Sequence, residues 1–271
     1  MVLKILVLLF LLHVVRGSMV QLKNGGYEDI VIAINPELPE DPNIIRNIQD
    51  MVKEASSYLF NATKKRFFFK AVKIIIPLHW QTKFQNSSIK TESYDKADVI
   101  VANPFLKYGD DPYTLQYGGC GEKGRYIHFT PDFLLNDKLY NIYGSRGTKV
   151  FVHEWAHLRW GVFDEYNNDA PFYMSANAGT ASVEATRCSA SVTGKYRFSN
   201  CTRNICINRQ CKYDDRTKLY EAGCKFVPDK IQNAPASIMY MQSLPSVSIF
   251  TTNTFIWACS GVACPNKCGS L

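Results

Sequence analysis

The stretch Lys149–Tyr166 reads KVFVHEWAHLRWGVFDEY and contains the pattern H-E-x-x-H at residues 153–157. On a helix, residues four apart lie on one face, so His153 and His157 can turn their imidazoles toward one metal ion. Glu154 follows the first histidine, where a carboxylate suits a general base better than a ligand. Neutral imidazole is a ligand typical of zinc, and a catalytic zinc has three protein ligands. The pattern therefore predicts a Zn²⁺ site with Glu154 as the catalytic base.

The residues after this helix favour the same interpretation. Gly161 follows the helical run, where a left-handed residue often ends a helix, and glycine adopts that conformation without a Cβ clash. The turn can bring Asp164 or Glu165 back toward the histidines, and Glu184, on a separate element, is a further rival for the third ligand. The opposing interpretation is an amphipathic helix that buries two hydrogen-bonded histidines. His79 and His128, each taken alone, are more typical of surface or packed histidines than of ligands.

Residues 1–17 have the pattern of a secretory signal peptide, with Lys4 followed by the apolar run Ile5–Val15. That run is shorter than the roughly 20 residues needed to cross a bilayer, and no later segment is long enough either. We therefore expect a secreted, extracellular protein without a membrane span. Three sequons are consistent with a glycoprotein: Asn61-Ala-Thr63, Asn86-Ser-Ser88 and Asn200-Cys-Thr202.

The charge pattern argues against a nucleic-acid partner. The formal net charge is +7, and the basic residues are spread along the chain apart from Lys64-Lys65-Arg66. A cluster of three cations is more typical of a solvated face than of a polyanion site.

Hydrophobic periodicity predicts an α/β (α+β) fold with a mixed sheet. The predicted strands and the long helix follow in chain order: strand Tyr27–Asn35, helix Asp41–Thr63, then strands Arg66–Pro77, Asp98–Ala102 and Tyr126–Thr130. This order indicates at least one crossover helix packed on the sheet. Residues 106–121 contain Gly-rich stretches without a following G-K-[ST], and they predict ordinary turns.

Nine cysteines in an exported chain predict disulfides. Five of them delimit a Cys-rich C-terminal subdomain over residues 188–224: Cys188, Cys201, Cys206, Cys211 and Cys224. None of these forms a C-x-x-C pair, so a zinc ribbon is disfavoured. Cys120 is a candidate partner for one of the five, and the odd total leaves at least one cysteine unpaired or bonded to another chain.

Several longer blocks carry a family resemblance. These are Val99–Asn103, Tyr108–Gly121, Val150–Asn167 and ASIM at Ala236–Met239. Over roughly residues 20–245 the chain resembles the amino-terminal part of the calcium-activated chloride channel regulator family. That resemblance implies a zinc-dependent, metzincin-like protease domain. It also implies that relatives cleave their own chain and modulate calcium-activated chloride conductance.

Carried over residue by residue, the resemblance implies that His153, His157 and Asp164 bind zinc. Glu154 is then the general base, and Met239 is the Met-turn residue beneath the metal. The spacing departs from the usual metzincin pattern, since three residues separate His157 from Gly161 and an aspartate stands in place of a third histidine.

The expected organisation is a signal peptide at 1–17, a metzincin-like domain at 18–245 and a divergent Cys-containing tail at 246–271. Relatives are expected to continue into a von Willebrand factor A domain with a D-x-S-x-S motif. This sequence has no such motif, which predicts a truncated member. The predicted function is a secreted zinc metalloendopeptidase acting on protein or peptide substrates, other members of its own family included. The alternative is a catalytically silent secreted fragment that acts only as a binding or vestigial product.

Overall fold

The computed structural model describes most of the chain outside its two ends. The described residues are 19–81, 93–138, 145–167, 170–177, 180–187, 191–202, 205–234, 236–244 and 247–249. The predicted signal peptide, the Asn86 sequon, Cys188 and the tail beyond residue 249 lie outside these ranges. Within these ranges, no helix has both the length and the apolar character needed to cross a bilayer.

A five-stranded sheet forms the centre of the fold. Its strands in spatial order are β5 (Val72–Ile75), β3 (Ile30–Ile34), β6 (Val99–Val101), β8 (Tyr126–Phe129) and β7 (Tyr113–Leu115). The first four are parallel to one another, and β7 runs antiparallel to β8 at the edge. β3 is buried along its whole length, as expected for a parallel strand covered on both faces. The mixed α+β architecture predicted from periodicity is confirmed.

The predicted strand Tyr27–Asn35 is interrupted. Asp29 has a φ of 59°, which ends β2 (Gly26–Glu28) and lets β3 begin at Ile30 in a different sheet. A second, three-stranded sheet contains β2 together with β1 (Gln21–Lys23) and β4 (Phe68–Phe69). The single run predicted as one strand therefore contributes one strand to each of two sheets.

Helix α1 (Pro42–Ala62) matches the helix predicted over Asp41–Thr63. Asp41 caps it, since its side chain accepts a hydrogen bond from the backbone N–H of Asn43 at 2.8 Å. Pro42 occupies the first turn, where no intrahelical N–H is needed. Helix α2 (Pro131–Leu135) begins in the same way after Thr130, whose hydroxyl accepts from the N–H of Phe133 at 3.1 Å.

Helix α3 (Thr148–Trp160) contacts α1 on one side and strands β7 and β8 on another. Trp155 lies at its centre and is fully buried. The indole packs edge-on against the rings of Phe69 at 4.9 Å and Tyr27 at 5.1 Å between centroids. These aromatic contacts anchor α3 in the core and oppose its rotation about its axis.

The chain after α3 consists mainly of short strands. They are β9 (Phe172–Asn177), β10 (Thr180–Ala185), β11 (Gly194–Thr202), β12 (Ile205–Gln210), β13 (Tyr213–Asp214), β14 (Leu219–Tyr220), β15 (Cys224–Pro228), β16 (Ala236–Ser237) and β17 (Val247–Ile249). β12, β11 and β15 form one antiparallel sheet in that order. A disulfide joins Cys211 to Cys224 at the start of β15, and Cys120 is disulfide-bonded as well.

Candidate metal centre

Two glycines set the ends of α3. Gly147 precedes the helix with a φ of 66°, and Gly161 follows it with a φ of 64°. Both values lie in the left-handed region that favours glycine. At Gly161 a side chain would also collide with the backbone of Glu122, since a Cβ would lie 2.6 Å from its nitrogen. The chain therefore turns directly after α3, as Gly161 predicted.

This turn brings Asp164 to the two histidines of α3. The Nε2 atoms of His153 and His157 are 3.0 Å apart. Oδ1 of Asp164 lies 3.1 Å from Nε2 of His153 and 3.3 Å from Nε2 of His157. In the part of the chain that the structure describes, these three side chains form the one group of His, Cys, Asp or Glu residues with converging ligand atoms.

The dimensions and chemistry of this group fit a zinc ion. With bonds of about 2.0–2.2 Å, ligand atoms at the corners of a tetrahedron lie about 3.3–3.6 Å apart. The three separations in the structure are 3.0, 3.1 and 3.3 Å, which lie at the lower end of this range or at most about 0.3 Å below it. Two imidazoles and one carboxylate are suitable zinc ligands, and three protein ligands are the number typical of catalytic zinc.

Backbone carbonyls contact the outer nitrogens of both rings. Nδ1 of His157 lies 2.6 Å from the carbonyl oxygen of Val162, and Nδ1 of His153 lies 2.9 Å from that of Ile238. A carbonyl only accepts, so Nδ1 of His157 carries a hydrogen and its Nε2 faces the cluster. The buried amide of Gln242 contacts Nδ1 of His153 and donates to the same Ile238 carbonyl at 3.2 Å. The two Nε2 atoms and a carboxylate oxygen thus face one another, an arrangement that a cation can bridge.

The pKa values of His157 and Asp164 are both shifted by contacts within the cluster. Burial lowers the pKa of His157, but the hydrogen bond and the negative charge of Asp164 outweigh burial and raise that pKa to about 9. Burial also opposes ionisation of Asp164. Hydrogen bonds from both histidines outweigh it and hold the pKa of Asp164 well below its usual range. At neutral pH the cluster therefore contains a carboxylate and an extra proton, which a divalent cation can replace.

Glu154 lies beside the cluster with 5% of its surface exposed. Thr114 on β7 donates its hydroxyl hydrogen to Oε2 of Glu154 at 2.7 Å. The other oxygen, Oε1, lies 3.9 Å from Nε2 of His153. Burial raises the pKa of Glu154, while the charges of the two histidines and the hydrogen bond from Thr114 lower it. One carboxylate oxygen is therefore held in place, and the other faces the cluster.

The rivals for the third ligand position lie elsewhere. Glu165 is buried, and its carboxyl group hydrogen-bonds to Ser237 instead of joining the histidines. Burial raises its pKa to about 7. The backbone N–H of Glu165 donates to the carbonyl oxygen of Met239 at 2.8 Å, so Glu165 bonds to residues 237–239 while Asp164 contacts the histidines. Glu184 lies on β10 opposite Tyr173 and is not part of the converging group.

The turn over residues 237–242 lies against the histidines. Met239, predicted as the Met-turn residue, is fully buried, and its N–H donates to the hydroxyl of Ser237 at 3.1 Å. Ile238 and Gln242 from the same turn contact His153. His79 and His128 are separate from the site.

Those two histidines have the surroundings that their sequence context suggested. His79 is exposed. His128 is buried on β8, where its ring stacks on Tyr113 at 4.9 Å between centroids. Neither therefore competes for the third ligand position.

Sequence reasoning missed two side chains of the site. Thr114 lies within residues 106–121, where only turns were predicted, and a strand of three residues is too short to show alternation. Gln242 follows Met239 by three positions, and that spacing is the one signal that could have suggested it. Thr114 and Gln242 each contact a residue of α3 that lies 40 or 89 positions away in the sequence.

Comparisons with known proteins agree with the resemblance. The family described as "Calcium-activated chloride channel N terminal" matches residues 20–262. Calcium-activated chloride channel regulator 1 of Bos taurus is 59% identical over 93% of this chain and 28% of its own length. Regulator 3A-1 of Mus musculus is 58% identical, over 91% of this chain and 27% of its own. Regulator 4 of Homo sapiens is 55% identical, over 90% of this chain and 26% of its own length.

No solved structure matches the chain. The chain spans about a quarter of the length of these relatives. The family match covers most of the chain, from β1 past the turn over residues 237–242, and so contains every residue of the candidate metal centre. The chain therefore belongs to the calcium-activated chloride channel regulator family.

Proposed function

We propose that this chain is a zinc-dependent metalloendopeptidase domain with metzincin-like architecture. The observation that carries the proposal is the convergence of His153, His157 and Asp164 beside a buried Glu154. The parallel sheet with an antiparallel edge strand, the glycine turn after α3 and the buried turn at Met239 support the architecture. We take residues 18–245 as the extent of this domain.

The three side chains would hold a zinc ion, which would supply the Lewis acidity needed to polarise a peptide carbonyl and to make water a nucleophile at neutral pH. Glu154 accepts the proton of the attacking water at Oε1 and passes it to the nitrogen of the leaving amine. Thr114 keeps the carboxyl group from rotating, because its hydroxyl holds Oε2. The raised pKa of Glu154 suits both steps, since the same group must accept and then release a proton.

The outer edge of β7 is where we place the substrate. The N–H of Ile127 donates to Asp98 at 2.9 Å on the β6 side, so the neighbours of Ile127 on β8 direct their backbone groups toward β7. Thr114 on β7 is the register partner of Ile127. Because Ile127 bonds to the β6 side, this pair exchanges no backbone hydrogen bonds, and the N–H and C=O of Thr114 face away from β8. No strand of the described residues pairs with that edge. An extended peptide can therefore add there as a further strand, next to Glu154.

The compartment and partners follow from the same proposal. A disulfide between Cys211 and Cys224 suits an oxidising environment, and with the signal pattern it supports a secreted glycoprotein. The substrates we propose are proteins or peptides, other members of the family included. The relatives are named as chloride channel regulators, and we extend that role to this chain as part of the proposal.

The test combines metal analysis with proteolysis. The chain is expressed in mammalian cells, its zinc content is measured, and it is incubated with a peptide library and with a protease-dead family member. We expect one zinc per chain and cleavage that a chelator abolishes. Glu154→Gln should keep the zinc and lower turnover about 10²–10⁴-fold, the usual contribution of a general base.

Glu184→Gln is the matched control, because it replaces a carboxylate outside the converging group. It should leave both zinc content and turnover unchanged. A folded, zinc-loaded chain that cuts none of the substrates would instead support the catalytically silent binding domain. A chain that folds but binds no zinc would reject the metal centre itself.

A further inference from the structure

The sheet formed by β12, β11 and β15 has two chemically different faces. Side chains alternate between faces along a strand, and the three strands contain no aspartate or glutamate. On the inner face, the ring of Tyr196 stacks on Tyr220 at 4.6 Å and packs edge-on against Phe226 at 5.5 Å. The cation on that face, Arg209, forms an ion pair with Glu221. The inner face is therefore apolar, and its charge is neutralised.

The outer face carries three cations and no carboxylate. Lys195 and Arg197 lie two residues apart on β11, and Arg197 is the direct register partner of Lys225 on β15. None of the three has an acidic partner within the described part of the chain. Like charges placed directly opposite each other destabilise a sheet. This face therefore holds a positive charge that nothing in its own strands offsets.

The same face is concave and lined with hydrogen-bonding groups. A groove of about 470 Å³ is lined by Arg197, Lys225, Ser199, Asn208 and Val227. Ser199 and Asn208 are exposed and lie opposite each other across β11 and β12. A hydroxyl and an amide can donate to anionic oxygens between the cations. The groove thus combines positive charge with neutral donors.

We propose that this outer face binds a sulfated polysaccharide. The cations repeat at about 7 Å along the strand and about 5 Å across it, which allows one chain of closely spaced sulfates to contact all three. The disulfide between Cys211 and Cys224 at the end of the same sheet suits an oxidising compartment. Sulfated glycans, rather than nucleic acids, are the abundant polyanions there. The proposal does not rest on the metal centre or on any proteolysis.

The test measures binding of a defined heparin oligosaccharide to the full chain by calorimetry at several salt concentrations. Arg197→Gln combined with Lys225→Gln should weaken binding about thirtyfold, the usual contribution of two cations at an anionic surface. The slope of log K against log salt should fall by about two, one for each cation removed. The melting temperature of this double variant should stay the same or rise, because the opposed like charges are gone. If the double variant melts lower, Lys195→Gln is measured instead. It removes only one cation of the same face and should weaken heparin binding by a smaller factor.

The matched control removes two charges elsewhere, by Lys64→Asn combined with Lys65→Asn. Both residues have positive φ, 53° and 63°, which asparagine tolerates. This control should keep near wild-type affinity. Equal losses in the two double variants would mean that net charge alone attracts heparin and would overturn the proposal. Equally tight binding of duplex DNA through the same residues would overturn the assignment to a sulfated glycan.

Discussion

Replacing Gly161 with alanine tests whether the turn after α3 builds the metal centre. A φ of 64° costs a residue with a Cβ about 1–2 kcal/mol. The new Cβ would also lie 2.6 Å from the nitrogen and 2.7 Å from the carbonyl carbon of Glu122, so one of the two backbones must move. Overpacking of this kind costs about 1–3 kcal/mol. The free energy of unfolding should therefore fall by about 2–5 kcal/mol.

Gly109→Ala separates these two costs. Gly109 has a φ of 59°, and nothing lies within 4 Å of the position its Cβ would take. This control should lose only the conformational part, about 1–2 kcal/mol. Urea unfolding of the two variants, followed by far-UV circular dichroism, measures the difference.

Zinc affinity supplies the second readout of the Gly161 variant. Asp164 follows Gly161 by three residues, so displacing the turn moves its carboxylate away from the histidines. We expect zinc affinity to fall about 10–100-fold in Gly161→Ala, as for other changes that misorient a ligand, and to stay unchanged in Gly109→Ala. Equal stability losses in the two variants, or wild-type zinc affinity in Gly161→Ala, would refute the reasoning.

Three further predictions concern the cluster and Glu154. Asp164→Ala should weaken zinc binding more than about 100-fold, beyond the range for outer-shell residues, whereas Glu165→Gln should not; the opposite ranking in competition titrations would reassign the ligand. Thr114→Val removes a hydrogen bond that lowers the pKa of Glu154, so the acid limb of the kcat/KM profile should move to higher pH, and Thr114→Ser should restore it. The pKa of His157 is raised to about 9, so this group holds a proton at pH 7 that zinc must displace. Calorimetry in buffers of different ionisation enthalpy should find about one proton released per zinc and about tenfold tighter binding at pH 8 than at pH 7, and pH-independent affinity would contradict this.

Elements held together by local interactions were predictable from the sequence. The apolar period over Asp41–Thr63 and the cap at Asp41 locate α1 to within one residue at each end. The spacing of His153 and His157 needs only helical geometry to place both imidazoles on one face, and Gly161 marks the helix end because its φ is left-handed. In each case the deciding contacts lie within a few residues along the chain.

The edge strand and the outer partners of the site were not predictable in this way. β7 has three residues, and its role depends on pairing with β8 and on a hydrogen bond from Thr114 to a helix residue 40 positions away. Gln242 reaches His153 across 89 positions. Neither hydrophobic periodicity nor a capping pattern identifies such a residue, because its partners are brought close only by folding.

Local sequence patterns could not decide whether Asp164 or Glu165 takes the third position beside the histidines. Both carboxylates follow Gly161 closely enough to reach the histidines, and the residues alone favour neither. In the folded chain, the N–H of Glu165 is bonded to Met239 and its carboxyl group to Ser237, so Asp164 is the one that turns toward His153 and His157. The decision belongs to tertiary structure, because the groups that hold Glu165 come from a turn more than seventy residues further along the chain.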